Sequence, residues 1–212
     1  MNILNKIYRK TLLIFGDIKV FPWPMFLLYH PKGYGMKGDD VRNVLNVVQE
    51  GDILLRGYDN YLDGYAIPGY FSHAGYYAGD NMVIHAMGEG VKEEDVINFC
   101  RCDYMAIMRM KDVTKTDISV ATTNAKKLIG KAYDFEFEDS DDEYYCTELI
   151  VKLWEHKADV LNIQPTTIKA LGGLIKKDSI MPDQFWDADS LVPIYSNDRV
   201  TTDMAKQTKN LD

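Results

Sequence analysis

Two strand-like runs, Phe71–Tyr77 and Met82–Ala86, flank Gly79-Asp80-Asn81, and this punctuation constrains the fold more than any other segment. Gly, Asp and Asn between two such runs are a hairpin signal, so the chain builds antiparallel sheet here. Loop length then decides which side chains share a face, because the strand period is two. With a three-residue loop, Gly75 stands opposite His85, and His73 becomes the diagonal neighbour of His85 on the same face. A two-residue loop throws the two imidazoles onto opposite faces. The sequence permits both.

Around the hairpin, short strands and helices are segregated rather than alternating, which points to an α+β class. Gly51-Asp52 launches the strand Ile53–Leu55, with Asp52 as a turn-capping residue; Tyr104–Met110 and Leu191–Tyr195 are further strands. A helix capped by Asp39 or Asp40 runs through Val41, Val44, Leu45 and Val48, and another spans Asp117–Ile129 and stops at Gly130. The loop from Gly57 to Gly69 is long enough to suggest function. Tyr58, Tyr61, Tyr65 and Tyr70 either line a substrate cleft there or cover the sheet edge. Gly172-Gly173 marks a bend. The expected division is an aromatic arm over 1–38, one domain over 39–198 and a flexible tail over 199–212.

The chain has 212 residues, enough for one domain with a real core, and a net charge of −8. Without a basic stripe to replace phosphate counterions, a nucleic-acid partner is excluded. The same balance opposes binding an anionic membrane by charge alone. In the arm, Phe21, Trp23, Phe26, Leu27 and Leu28 crowd together. Packing on the domain is the favoured reading, with membrane contact through 1–38 as the alternative. The apolar run Leu12–Phe15 is too short for a signal peptide, and no stretch reaches transmembrane length. The cysteines Cys100, Cys102 and Cys146 make a poor disulfide framework and complete no zinc set. Cys100 and Cys102 are taken as structural. A cytoplasmic location follows as the expectation, and no metal or organic cofactor is expected.

Cys146, Leu149, Ile150, Leu153 and Trp154 recur at helical spacing over the segment Cys146–His156, with the thiol as the first apolar-face position. A cysteine in the first turn sees unpaired N–H groups and the positive end of the helix dipole, which favour thiolate and can serve an oxyanion. Asp141, Asp142 and Glu143 just upstream pull the other way, and a small buried hydrophobe is an equal reading of Cys146 from the helix alone. Among the four histidines, His30 lies in the arm, and His156 is about 15 Å from the thiol at helical rise. A contact with the helix C-terminus accounts for His156. His73 and His85 remain as the base and its orienting partner, or as two unrelated strand residues.

Taken in order, Gly51-Asp52-Ile53-Leu54-Leu55, Phe71-Ser72-His73-Ala74-Gly75, Val83-Ile84-His85-Ala86 and Tyr133-Asp134-Phe135 … Tyr144-Tyr145-Cys146-Thr147-Glu148-Leu149 resemble the YiiX-like proteins. These are the circularly permuted, papain-like branch of the NlpC-type cysteine hydrolases, with the His-bearing strand before the Cys-bearing helix. The similarity spans about residue 50 to 195 and includes Pro182-Asp183-Gln184-Phe185. The resemblance implies a small antiparallel sheet or half-barrel packed on the Cys146 helix. It also implies Cys146 as nucleophile and His73 as general base. His85 stands where many relatives carry a Glu before Ala, and a neutral imidazole orients the base without supplying charge. Tyr145 and Tyr144 flank the nucleophile as candidates for the oxyanion hole or for packing.

The expected activity is that of a cysteine peptidase or amidase, a thiol-protease-like hydrolase working through a Cys146 thioester on a peptide or other amide. Three rivals stand beside it. The same site could act on a lipid-acyl substrate, with the aromatic arm meeting the lipid. A peptidoglycan peptidase would need export without a visible signal. A papain-like shell could also survive as a catalytically weak binding module.

Overall fold

The computed structural model describes residues 3–16, 18–21, 26–29, 34–59, 69–137, 141–170 and 175–200. In chain order the elements are α1 (Ile3–Gly16), β1 (Ile18–Phe21), β2 (Phe26–Tyr29), α2 (Gly38–Val47), β3 (Ile53–Gly57), β4 (His73–Tyr77), β5 (Met82–Met87), β6 (Gly90–Asp95) and α3 (Val96–Phe99). Then follow β7 (Tyr104–Met110), α4 (Lys115–Leu128), α5 (Cys146–Leu153), a 3-10 turn at Glu155–Lys157, α6 (Ala158–Leu161), β8 (Thr166–Ala170), β9 (Ile175–Ser179), α7 (Asp183–Asp187) and β10 (Leu191–Ser196). Six strands form one sheet in the order β10-β7-β3-β4-β5-β6, antiparallel at every pairing. β1 with β2, and β8 with β9, make separate hairpins.

The central strands are covered on both faces, which is why Ile53-Leu54-Leu55 is an unbroken apolar run. Period-two alternation sends Ile53, Leu55, Ala74, Tyr76, Ile84 and Ala86 to one face, where Leu149, Ile150, Leu153 and Trp154 of the α5 region pack on them. Leu54, Tyr77, Val83, Met105 and Ile107 point to the other face, against Val44 of α2 and Val96 and Phe99 of α3. Each fully buried Leu or Ile in these layers stabilises the fold by roughly 1.5–3 kcal/mol. No described helix is long and apolar enough to cross a membrane.

Several expectations need adjusting. The arm carries a helix and a hairpin backbone of its own, whereas His30 and Trp23 lie outside the described residues. Lys37, not Asp39 or Asp40, is the N-cap of α2, and its N–H donates to Asp40 at 2.8 Å. The Cys146 helix ends at Leu153, and His156 in the 3-10 turn donates to the Asp117 carbonyl at 3.1 Å while stacking on Trp154. It serves α4, not the end of its own helix. Arg199 pairs with Asp59 and Asp103, and Val200 is buried, so the chain is still packed there; 201–212 lie outside the described residues. The same is true of Tyr61, Tyr65, Gly172 and Gly173.

Asp52 holds the sheet together at the point where β3 begins. Its buried carboxylate accepts from Arg109 of β7 through Nε at 2.7 Å and Nη2 at 2.8 Å, and from the Gln49 amide at 2.7 Å. Asp52→Ala strands the guanidinium and that amide. We expect a stability loss of roughly 2–4 kcal/mol, below that of a fully buried pair because Arg109 keeps some water access. Urea unfolding checks it as a lower midpoint at unchanged slope.

Candidate active site

The α5 helix begins at the residue the sequence picks out. Tyr145 is the N-cap in extended backbone, its carbonyl accepts from Leu149 N–H at 3.0 Å, and its own N–H donates to the Glu148 carboxylate at 3.2 Å. The amides of Cys146 and Thr147 are left without helical partners, as first-turn amides are. The acidic run upstream is neutralised locally. Asp141 pairs with Lys152 at 3.0 Å, Asp142 with Lys131 at 2.7 Å, and Glu143 with Arg9 at 3.4 Å. Its opposition to a thiolate is correspondingly weakened.

Burial works against charge on Cys146. Only 7% of the residue is exposed, and desolvation raises the thiol above its ordinary value. Opposing this are N–H groups of Ala74, Thr147 and Cys146 itself. The Thr147 hydroxyl adds little, because its single proton is committed to the Ile180 carbonyl at 2.6 Å. The dipole and amides are present, and desolvation outweighs them. Cys100 and Cys102 are free, buried thiols too, Cys100 pushed up to about 12 by burial.

The hairpin takes the three-residue loop. Gly79, Asp80 and Asn81 all have left-handed φ (84°, 49° and 63°), and β4 pairs with β5 at Tyr76↔Ile84 and Tyr77↔Val83. Extending that register sets Gly75 opposite His85 and His73 on the diagonal. His73 Nε2 lies 2.8 Å from His85 Nδ1, with the rings at 71°. The paired rungs stop at Tyr76, and beyond them the amide of Ala74, the residue after His73, turns to the Cys146 thiol. Thiol and imidazole pair thus meet the same strand end. No hydrogen bond joins Cys146 to His73 among the described residues.

Around the imidazoles stand residues that no sequence pattern singled out. Arg56 lies opposite His73 across β3 and β4, nearly buried, 4.3 Å from the Phe99 ring centroid. Phe99 also packs on both histidines, at 5.9 and 5.4 Å. Glu94 of β6 sits 3.4 Å from both Arg56 Nη1 and His85 Nε2. Desolvation first, then Arg56 and Lys92, hold both histidines well below the usual imidazole value, and for His73 the neighbouring His85 adds to this. Both rings rest neutral. The Gly88-Glu89-Gly90 turn directly after β5 is a sequence signal that could have revealed β6.

Of the flanking tyrosines, Tyr144 is core, with its hydroxyl donating to the Asp141 carbonyl at 3.1 Å. The Tyr145 hydroxyl accepts from Ile180 N–H at 3.3 Å, and its ring packs on Phe137 at 5.0 Å. Tyr58 stands on the imidazole face beside Arg56, at 5.8 Å. Asp183 accepts from the amides of Tyr70 and Phe71, both at 2.9 Å, and so fixes the chain as it enters β4. The described residues contain no group of three or more His, Cys, Asp or Glu that could hold a metal ion.

Comparison with known proteins agrees with this architecture. A model of the permuted papain-like amidase enzymes (YaeF/YiiX, C92 family) matches residues 47–195. Among curated proteins none matches. A crystal structure described as metalloprotein yiiX from Escherichia coli O157:H7 is similar in fold, with a TM-score of 0.60 and 20% identity, over 70% of this chain and 97% of that one. With about two thirds of its length matched by the family model, the chain belongs to the permuted papain-like amidases.

Proposed function

We propose that this amidase works through a Cys146 thioester, with His73 as general base and His85 holding the base in orientation. The observation that carries the reading is the 2.8 Å His73–His85 contact on the strand end whose next amide meets the thiol. Thiol and imidazole rest neutral, so proton transfer accompanies attack instead of preceding it. The Cys146 Sγ–H proton passes to His73 as sulfur bonds to the acyl carbon. The amine leaves with that proton, and water, deprotonated by His73, hydrolyses the thioester. Amides of the α5 start are placed to receive the oxyanion.

An activated acyl donor, p-nitrophenyl acetate, tests this without knowledge of the natural amide. Intact-protein mass spectrometry should find one acetyl group on Cys146. His73→Ala should slow acetylation by about 100-fold or more, the usual worth of a positioned base. An equal rate in that variant rejects the dyad. Protonated His73 cannot accept the thiol proton, and its proton affinity is depressed. The wild-type rate should therefore stay flat through neutral pH and fall only well below pH 6.5.

A second reading concerns where the acyl donor resides, and α1 favours a lipid surface. Ile3, Leu4, Ile7 and Tyr8 are 72, 69, 58 and 49% exposed, a stripe at helical spacing. Lys6 and Lys10 are exposed beside it, and the helix contains no acidic residue. Arg9 and Tyr8 meet Glu143 and Phe135, which brings α1 next to the segment leading into Cys146. A bilayer holding α1 would present acyl donors near the thiol. The protein should co-sediment with phosphatidylglycerol vesicles at low salt, and Ile7→Asp should abolish this. Absence of wild-type binding removes the lipid reading and leaves the dyad untouched.

A further inference from the structure

His85 Nε2 is fully buried and makes no hydrogen bond, a costly state for a ring nitrogen. Its neighbour is Glu94 Oε2, at 3.4 Å in a contact that does not close into a hydrogen bond. Glu94 reaches it from β6, where Lys92 is the direct partner of His85 and Glu94 that of Val83, all on one face. The same carboxylate oxygen is 3.4 Å from Arg56 Nη1. Arg56 is itself loosely held, with Nη1 also 3.4 Å from the Phe99 carbonyl and with Nε unpartnered.

We propose that Glu94 is a positioning residue which, by accepting the Nε2–H of His85, fixes the tautomers of both imidazoles and leaves His73 Nδ1 bare for the thiol proton. This rests on the reading of His73 as the base. A neutral imidazole carries one proton, on one of its two nitrogens. His73 Nε2 and His85 Nδ1 share a single hydrogen between them. If that hydrogen belongs to His73, its Nδ1 is a free acceptor, and His85 must carry its own proton on Nε2, facing Glu94. If it belongs to His85, two lone pairs of like polarity face each other at His85 Nε2 and Glu94. His73 then carries its proton on Nδ1 and has nothing with which to accept from Cys146. The carboxylate selects the first arrangement.

The same contact serves the charged state. The cations facing the pair are Arg56 from β3 and Lys92 from β6, and both oppose an imidazolium at His73. Glu94 is the anion among them, in contact with Arg56 and His85 together. As His73 takes the thiol proton, His85 is drawn into donating more firmly to Glu94. A contact that is long in the resting enzyme then shortens during turnover, as catalytic hydrogen bonds commonly do.

Nitrogen-15 labelling of histidine tests this, because long-range proton–nitrogen spectra separate Nδ1–H from Nε2–H rings. In the wild type, His73 and His85 should both be Nε2–H. Glu94→Ala should populate Nδ1–H at both, and should slow Cys146 acetylation by p-nitrophenyl acetate about tenfold or more, as loss of an orienting partner does elsewhere. If that variant does not fold, Glu94→Gln takes its place. Its neutral amide holds the His85 proton less strongly, and a measurable Nδ1–H population should appear. Both rings remaining wholly Nε2–H in a folded variant overturns the proposal, whatever the rate does. A His73→Ala protein that acetylates normally instead overturns the dyad, and the wild-type spectrum distinguishes that failure from this one.

Discussion

A left-handed turn of three residues sets the geometry on which the rest of the site depends. Because Gly79, Asp80 and Asn81 all adopt positive φ, β4 and β5 pair in the one register that puts His73 and His85 on a common face. One residue fewer would turn His85 toward the α5 side, where Ile84 and Ala86 now receive Leu149 and Ile150. The register therefore does two things at once. It joins the imidazoles, and it gives the helix bearing Cys146 an apolar surface to pack against, with its first residue at the end of β4.

Burial then governs the electrostatics. Sulfur and both imidazoles are withdrawn from water, and withdrawal favours the neutral form of each. First-turn amides and the Ala74 N–H favour charge on sulfur without prevailing at rest. A site of this kind holds its dipoles in place for a charge that exists only during reaction, when their alignment costs no rearrangement. Arg56 fits the same scheme, since a fixed cation facing His73 keeps the ring unprotonated and able to accept.

Much of the fold was legible because local signals and tertiary packing agree. Gly51-Asp52 before an apolar run and the spacing of Cys146, Leu149, Ile150 and Leu153 each have one structural solution that buries what needs burying, whereas the Gly-Asp-Asn turn left two loop lengths open. The strands β6, β8 and β9 were missed because Gly90–Asp95, Thr166–Ala170 and Ile175–Ser179 carry Lys, Glu, Thr and Asp in place of strong apolar alternation. β6 takes its place through its ladder to β5, a hairpin closed by the two-residue turn Gly88-Glu89. Glu94 and Arg56 were not singled out by any sequence pattern. Each is an ordinary charged residue until β6 and β3 bring it to the histidine face. The balance at the thiol stayed open in the sequence because the helix start can be read from it, whereas the depth at which the sulfur lies cannot.

The protonated, enclosed thiol of Cys146 has a consequence for the protein between turnovers. Peroxide and disulfides attack thiolates at accessible sites, and oxidation of cysteine follows thiolate character and exposure. An enzyme that kept a standing thiolate would be vulnerable whenever it was idle. In the proposed mechanism sulfur becomes nucleophilic only as a substrate's acyl carbon arrives beside it, so that chemistry is withheld from small oxidants. Cys100 and Cys102, still more deeply buried, offer no easier target. With Cys146 in the proposed role, the burial that keeps the thiol protonated also protects the idle site from redox damage.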